Sequence, residues 1–307
     1  MGRDRPVTNV QHRAHQVWGS VKNDTRPRID ASAVGGFPPN CAQSFLRAVP
    51  TLTDFFFHHS FCGIVPLPNA TKEPIMLSRS VTIKIAFVLD ELIPPFLRDS
   101  KWFMWIPFRI LFGDRAEDFF NFKDHVFDMS FAEIKRTYER LESMHIQRQT
   151  DLNDACTKEI LDNLCGDNVL EVGCGRLYLA QRMAAKSNVT ACDMVISSAL
   201  RDKFPDIDLR EVAIESLPFA DNQFDTVVST HTLEHVLDIT QAISELRRVA
   251  KKRLIIVVPK QRSYKYTFDL HVHFFPYQSS LLVHMALAGN EREIKLLDGD
   301  WYYQEEL

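Results

Sequence analysis

Residues 168–177, Asn-Val-Leu-Glu-Val-Gly-Cys-Gly-Arg-Leu, constrain the fold of this chain more than any other segment. A short apolar strand that carries Glu171 runs into Gly173-Cys174-Gly175, and an amphipathic helical pattern follows. Glycine is favoured where the backbone turns sharply from a strand into a helix and lies against a ligand, because a Cβ atom would collide there. The segment therefore predicts a nucleotide-type pocket at the carboxyl end of this strand.

The C-terminal half of the chain alternates between strand and helix patterns. Near-continuous apolar strands separated by helical segments are typical of a parallel sheet with helices on both faces. Residues 293–304, which surround a tight Asp298-Gly299-Asp300 turn, instead indicate an antiparallel hairpin. We therefore predict an α/β fold with a Rossmann-like, mostly parallel sheet that ends in this hairpin, with parallel strands over 168–172, 188–193, 208–213, 224–230 and 253–259.

The N-terminal half has a different character. Residues 1–40 are polar, hold proline and glycine without a period, and are predicted to form a disordered arm. Residues 41–150 are rich in aromatic side chains and helical patterns, including a capping-box pattern of Ser130 and Glu133. We expect a helical cap with a substrate region over 41–150 and a cofactor-binding domain over 151–307.

Composition and charge exclude several classes of protein. The formal net charge of -4 argues against a non-specific nucleic-acid binder, so no nucleic-acid partner is predicted. The N-terminus lacks an apolar signal core, and the apolar stretch from Trp102 to Phe112 is too short to cross a bilayer. The six cysteines form no C-x-x-C pair, which indicates free thiols in a reducing compartment. A cytoplasmic location is therefore expected.

Two nucleotide-binding chemistries fail at the glycine turn. A dinucleotide fingerprint needs a third glycine where Tyr178 stands, which disfavours a nicotinamide-dependent reductase, and a Walker A loop needs a Gly-Lys-Ser/Thr run that is absent. What remains is Glu171, on the strand that precedes the glycine turn, and a second acid, Asp193, at the end of the next strand. A carboxylate there can accept hydrogen bonds from a ribose diol, and Met194 is placed to lie against a purine.

Several successive segments resemble the class I S-adenosylmethionine-dependent methyltransferases of the small-molecule type. They are Glu171-Val172-Gly173-Cys174-Gly175, Asp193, Leu217-Pro218-Phe219-Ala220-Asp221-Asn222-Gln223-Phe224-Asp225, and Val227-Val228-Ser229-Thr230-His231-Thr232-Leu233-Glu234-His235-Val236. The resemblance implies that the first segment meets the methionine part of the cofactor, that Asp193 binds the ribose, and that the last segment lies beside the sulfonium. It thereby implies S-adenosylmethionine as cofactor, bound by Glu171, Gly173, Cys174, Gly175, Asp193, Met194, Ile214, Glu215, Thr230, His231 and His235.

Two positions depart from the family pattern. Leu177 stands where the family usually has a third glycine, and Ala213 stands where an acid often lies near the adenine amino group, so that Ile214 or Glu215 would have to serve. These departures leave open an alternative, a binding or regulatory protein that kept the fold and lost the chemistry. For Cys174 itself we favour a packing role, because no base partner is evident.

A hydroxyl acceptor would need a base of near-neutral pKa, and histidine fits best. Candidates cluster after the fourth and fifth strands, at the carboxyl edge of the sheet where open α/β sheets bind ligands. His271 and His273 alternate in an extended run, so both should point to one face, and we predict one of them as the catalytic base. His235 is expected to shape the cofactor pocket. No metal site is predicted, because no close cysteine or carboxylate completes a ligand set with these histidines.

A narrower resemblance covers the segment before Thr150. Leu97-Arg98-Asp99-Ser100-Lys101-Trp102-Phe103-Met104, Phe112-Gly113 and Arg148-Gln149-Thr150-Asp151-Leu152 are similar to N-terminal regions of bacterial methyltransferases associated with glycan or natural-product clusters. This implies methyl transfer to a sugar-like or other small-molecule acceptor, and we predict transfer to oxygen. No oligomeric state follows from the sequence.

The aromatic run in this segment admits two interpretations. Trp102, Trp105 and Phe108 can form a helical cap that is buried on the core. Alternatively, the aromatic side chains beside Lys101 and Arg109 suit a peripheral contact with a membrane surface.

Overall fold

The computed structural model describes residues 84–85, 87–142, 149–285 and 291–307. All of them belong to one compact unit, residues 71–307. The predicted arm over 1–40 and the part of the predicted cap before residue 84 lie outside the described residues, so the predicted domain boundaries stay predictions.

A seven-stranded sheet forms the centre of the described part of the chain, in the order β3-β2-β1-β4-β5-β7-β6. The first five strands pair in parallel, and the last two add an antiparallel hairpin at the β5 edge. This architecture confirms the predicted α/β fold and its C-terminal hairpin. The strands are β1 Asn168–Val172, β2 Asn188–Asp193, β3 Asp208–Glu211, β4 Phe224–Thr230, β5 Ala250–Pro259, β6 Arg292–Leu297 and β7 Asp300–Glu306.

The order of the strands creates a crevice at one edge of the sheet. After β1 the chain proceeds outward to β2 and β3, and it then returns to the other side of β1 as β4. Connections that leave β1 and β4 in opposite directions open a space between them, and parallel sheets bind ligands at such a switch point. The glycine turn follows β1 and the predicted histidine segment follows β4, so both segments lie at this edge.

In the described residues, five helices accompany the sheet, and the longest of them shows why its sequence is helical. Apolar side chains recur with helical spacing, Asp238 caps the N-terminus by accepting a hydrogen bond from the Gln241 backbone N–H, and the apolar face is buried. The buried residues, Ile239, Ala242, Ile243, Leu246 and Val249, are those predicted. The helices are α4 Asp154–Asp162, α5 Tyr178–Met183, α6 Ser198–Lys203, α7 Ile239–Val249 and α8 Gln278–Met285.

The longest helices in the described part of the cap are α1 Lys101–Phe112, α2 Ala116–His125 and α3 Phe131–Glu142, and shorter helical turns lie at Val88–Leu92, Pro95–Arg98, Gly113–Arg115 and Val126–Asp128. Met104 and Phe108 lie one turn apart on the buried face of α1, where Phe108 stacks on Phe268 with ring centroids 4.6 Å apart. Trp102 lies on the other face and is 67% exposed, so the interpretation that buries the whole aromatic run is wrong for Trp102, although Phe108 is fully buried. Helical spacing explains the difference, because Trp102 stands two residues before the buried Met104 and therefore points in nearly the opposite direction.

The cap packs on the segment 264–275, which connects β5 to α8. Aromatic and aliphatic side chains from α1, α2 and α3 share a cluster with Tyr266 and Leu270 of that segment. Among the described residues, no helix combines the length and the apolar character that spanning a bilayer requires.

Candidate active site

The glycine turn after β1 is shaped by two glycines with different surroundings. Gly173 (φ 79°) and Gly175 (φ 47°) both adopt positive φ, where a side chain is unfavourable. A Cβ atom on Gly173 would lie 1.9 Å from Oγ1 of Thr232, whereas one on Gly175 would meet nothing within 4 Å. Gly173 is therefore required by packing against the loop after β4, and only Gly175 borders the open space expected for a ligand. Thr232 was not singled out from the sequence.

Asp193, at the end of β2, is held against this turn. The Gly175 backbone N–H donates a hydrogen bond of 2.8 Å to Oδ2 of Asp193. The predicted acid and the predicted glycine turn are therefore adjacent at the carboxyl edge of the sheet.

Glu171 lies beneath the turn and is buried. Its Oε2 atom accepts no hydrogen bond from any residue in the described part of the chain. Burial, and after it the negative charge of Asp193, raise the pKa of this carboxyl well above its usual value. A positively charged group in the crevice would favour the ionised form of Glu171 and give the carboxylate a partner.

Leu177 does not occupy the crevice. The residue has a left-handed backbone (φ 64°) at the start of α5, and its side chain is 0% exposed. It packs in a cluster with Cys174, Ala191 and Leu209, on the core side of the turn. Burial raises the pKa of the Cys174 thiol well above its usual value, which fits the packing role favoured from the sequence.

The remaining residues that were predicted to bind the cofactor have different surroundings. Met194 packs, partly buried, against the cap cluster, and the Ile214 side chain is buried in the main core. The backbone carbonyl of Glu215 accepts a hydrogen bond from the side-chain amide of Gln241. Thr230 is buried at the end of β4. Their contacts with a cofactor stay predictions.

His231, the first residue after β4, is enclosed by two carboxylates. Its Nε2 lies 3.3 Å from Oδ2 of Asp300, and its Nδ1 lies 3.5 Å from Oε1 of Glu234. Burial alone would lower the pKa of His231, but these acids raise it to about 10, so the ring carries a positive charge at neutral pH. Asp300 also accepts a hydrogen bond of 2.8 Å from Asn153. Neither Asp300 nor Asn153 could be found from the sequence. Asp300 reaches His231 through the pairing of β7 with β5, and Asn153 reaches Asp300 from the N-terminal cap of the helix Asp154–Asp162.

His235 and His271 come together beside Glu234. Their ring centroids are 4.6 Å apart, and the Tyr138 hydroxyl of α3 lies 3.1 Å from Nδ1 of His235. Burial, and after it His271, lower the pKa of His235 to about 4, so this ring is neutral. Burial alone would raise the pKa of Glu234, but the nearby histidines lower it to about 2. We call Glu234, His235 and His271 the histidine cluster.

The ring of His273 is not part of this cluster. Residues 260–277 form neither helix nor strand, and the backbone N–H groups of Val272 and His273 both donate to the Glu234 carbonyl. The His273 ring has His284 as its neighbour, with centroids 5.8 Å apart, whereas His271 faces His235. The extended run on which the prediction of a shared face depended is not formed. The role of either residue as a base stays a prediction.

The part of the chain that forms this site is similar to a known protein family. A family model described as a methyltransferase domain matches residues 170–258, which run from β1 to β5 and include the glycine turn, Asp193 and the loop after β4. The chain carries a class I S-adenosylmethionine-dependent methyltransferase domain. The cofactor of this methyltransferase domain is S-adenosylmethionine.

Individual relatives resemble part of the chain. The ubiquinone biosynthesis O-methyltransferase of Paracidovorax citrulli is 39% identical over 97 residues, which cover 29% of this chain and 41% of that protein. The demethylmenaquinone methyltransferase of Listeria welshimeri is 28% identical over 137 residues, which cover 39% of this chain and 56% of that protein. The chain thus spans about half the length of the curated relatives it matches.

Solved structures also resemble the methyltransferase domain. A SAM-dependent methyltransferase from Aquifex aeolicus gives a TM-score of 0.38 at 18% identity, over 58% of this chain and 98% of the other.

Proposed function

We propose that the chain as a whole is an active methyltransferase that transfers a methyl group from S-adenosylmethionine to an oxygen atom of a small hydroxylated acceptor. The observation that carries this proposal is the meeting of the glycine turn, Asp193 and the histidine cluster at one sheet edge. Such an edge offers a cofactor site and polar side chains for an acceptor within one crevice.

The residues around the turn fit the cofactor. The carboxylate of Asp193 suits the ribose hydroxyls, and the orphaned Oε2 of Glu171 suits the positively charged methionine end. When bound, S-adenosylmethionine would supply the methyl carbon, whose bond to sulfur would break, with its electron pair left on sulfur, as the carbon bonds to the acceptor oxygen. The hydroxyl proton of the acceptor would pass to the predicted base, His271 or His273. The chain itself has to hold the two reactants in line and keep water away.

The class of acceptor follows from the histidine cluster and from the relatives. Two of the relatives are named for quinone methylation, which supports a small cyclic acceptor over a macromolecule. The similarity of residues before Thr150 to glycan-cluster enzymes supports a sugar hydroxyl instead. Both acceptors present a hydroxyl group, for which buried imidazoles are suited.

The non-catalytic alternative loses one of its supports. It depended on Leu177, whose side chain packs on the core side of the turn and leaves the crevice free. Ala213 is the remaining departure from the family pattern.

A methyl-transfer assay tests the proposal. The full chain is incubated with S-adenosylmethionine labelled in its methyl group and with catechols, quinols and sugars, and labelled products are separated and counted. We expect transfer to at least one hydroxylated acceptor, and loss of transfer in Asp193→Ala. Cofactor binding without transfer to any acceptor would favour the non-catalytic alternative.

We also propose that the exposed face of α1 contacts an anionic membrane surface. Trp102, Ile106 and Ile110 recur every four residues and are more than half exposed. The helix holds Lys101 and Arg109 but no acid, so its charge complements anionic headgroups. An acceptor that is itself dissolved in a lipid surface would then be close to the enzyme.

Co-sedimentation with phosphatidylglycerol vesicles tests this contact. We expect the wild-type chain to sediment with the vesicles and Trp102→Ser/Ile106→Ser to remain in solution. Val283→Ser, which removes an exposed apolar side chain elsewhere, should bind like the wild type. Equal sedimentation of both variants would exclude α1 as the contact.

A further inference from the structure

We propose that the histidine cluster is a binding site for a divalent transition metal ion such as Zn²⁺. One oxygen of Glu234 and one ring nitrogen each of His235 and His271 lie within 4.8 Å of one another. Ligands of a tetrahedral zinc ion, at about 2.0–2.1 Å from the metal, lie about 3.4 Å apart, so small side-chain shifts would close the set. This corrects the expectation from the sequence that no carboxylate completes a ligand set.

The Glu234 carboxylate has an ion-pair partner in His231 but lacks the hydrogen bonds that a buried charge requires. Its side chain is 0% exposed, and neither oxygen accepts a hydrogen bond from a described residue. The charged ring of His231 is its ion-pair partner, with Nδ1 3.5 Å from Oε1 of Glu234. An ionised carboxylate without hydrogen bonds in the interior is costly, and a bound cation would compensate that cost.

Both imidazoles are oriented by groups outside the cluster. Nδ1 of His235 lies 3.3 Å from the Leu270 carbonyl, which can only accept, and 3.1 Å from the Tyr138 hydroxyl, which can accept as well as donate. Nδ1 of His271 lies 2.6 Å from Oε1 of Gln261. With the hydrogen on Nδ1, each ring keeps a free lone pair on Nε2. Metal-binding histidines in proteins are typically held in this way by an oxygen acceptor on the other nitrogen.

The chemistry of the ligand set selects the class of ion. Two imidazoles and one carboxylate suit zinc and other first-row transition metals, whereas Mg²⁺ and Ca²⁺ prefer oxygen ligands throughout. Three protein ligands leave at least one coordination position for water or an acceptor hydroxyl. In that role, which rests on the proposed function, the ion would lower the pKa of the hydroxyl so that its proton passes to solvent water, and His271 would act as a ligand rather than as the base.

Metal binding is measured directly on the full chain, without an activity readout. The protein is freed of metal with a chelator, titrated with Zn²⁺ by calorimetry, and its zinc content is determined by mass spectrometry after dialysis. We expect one Zn²⁺ per chain and at least 100-fold weaker binding in Glu234→Gln and His271→Asn. His284→Asn, which removes a histidine outside the cluster, should bind as the wild type does.

A milder variant keeps the test valid where a ligand variant fails to fold. Tyr138→Phe removes only the hydroxyl beside His235 and should weaken Zn²⁺ binding about 10-fold. Wild-type protein that binds no Zn²⁺, or variants that all bind it equally, would overturn the site. A chain that binds S-adenosylmethionine but no Zn²⁺ refutes this site alone, whereas one that binds Zn²⁺ but no cofactor refutes the proposed function alone.

Discussion

Gly173 and Gly175 look alike in the sequence but differ in what surrounds them. A Cβ atom on Gly173 would collide with Thr232, whereas a Cβ atom on Gly175 would face open space. We expect Gly173→Ala to reduce the free energy of unfolding by about 2–5 kcal/mol, since a strained backbone and overpacking add. Gly175→Ala should cost about 1–2 kcal/mol, from backbone strain alone. Urea denaturation measures both, and equal losses would contradict the packing role of Gly173.

Leu177 illustrates how a departure from a family pattern can be structural. Its buried side chain fills the cluster around Cys174 and Leu209, away from the crevice. We expect Leu177→Ala to lower the free energy of unfolding by about 2–5 kcal/mol, because it leaves a cavity. Affinity for S-adenosylmethionine should stay within about twofold of the wild type, apart from any effect of unfolding. A gain in affinity with unchanged stability would instead place the side chain in the crevice.

Several residue assignments could be made from the sequence because they depend on neighbours along the chain. The glycine turn and the acid at the end of β2 follow strands whose apolar pattern is plain. The conformation of Leu177 could not be predicted, because a left-handed leucine is stable only where the surrounding core accepts its side chain.

At the scale of elements, the cap is joined to the segment 264–275 through Lys123 of α2. The Lys123 ammonium donates a hydrogen bond of 2.9 Å to the Tyr264 carbonyl and lies 4.0 Å from the centre of the Phe274 ring. Burial lowers the pKa of Lys123 to about 8, although Asp269 and Asp99 oppose that effect. The contact between cap and segment therefore depends on pH.

The sign of this dependence follows from the lowered pKa. Between about pH 8 and the usual lysine value of about 10.5, the unfolded chain binds a proton at Lys123 that the folded chain lacks, so the wild type gains stability as pH rises. Relative to Lys123→Met, we expect a gain on the order of 3 kcal/mol across this interval and none below pH 7. Chemical denaturation at several pH values measures it. A constant difference between the two proteins would contradict the lowered pKa.

The positions of some helices and strands could be predicted from the sequence, and the positions of others could not. The strands and α7 were placed well, because alternating βα units repeat a strong apolar pattern. The segment 264–275 was not, because its conformation is fixed by contacts with the Glu234 carbonyl and with the cap rather than by local propensity.

At the scale of the whole molecule, the site is completed by residues that are distant along the chain. Asp300 reaches His231 only because β7 pairs with β5, and Tyr138 reaches His235 only because α3 packs on the sheet edge. Neither contact could be predicted from the spacing of residues within one segment of the sequence. The sequence therefore predicted that histidines gather at this edge, but not the carboxylates and the tyrosine that surround them.

Calorimetric titration with S-adenosylhomocysteine determines whether the turn after β1 and Asp193 bind the adenosyl cofactor. We expect binding to the wild type, and a loss of about 1–3 kcal/mol in Asp193→Ala from the missing hydrogen bonds to the ribose. Asp208→Ala, which removes an exposed acid at the opposite edge of the sheet, serves as the matched control and should bind normally. Absence of binding to the wild type at millimolar concentration, or equal affinity in all three proteins, would exclude this site as the cofactor site.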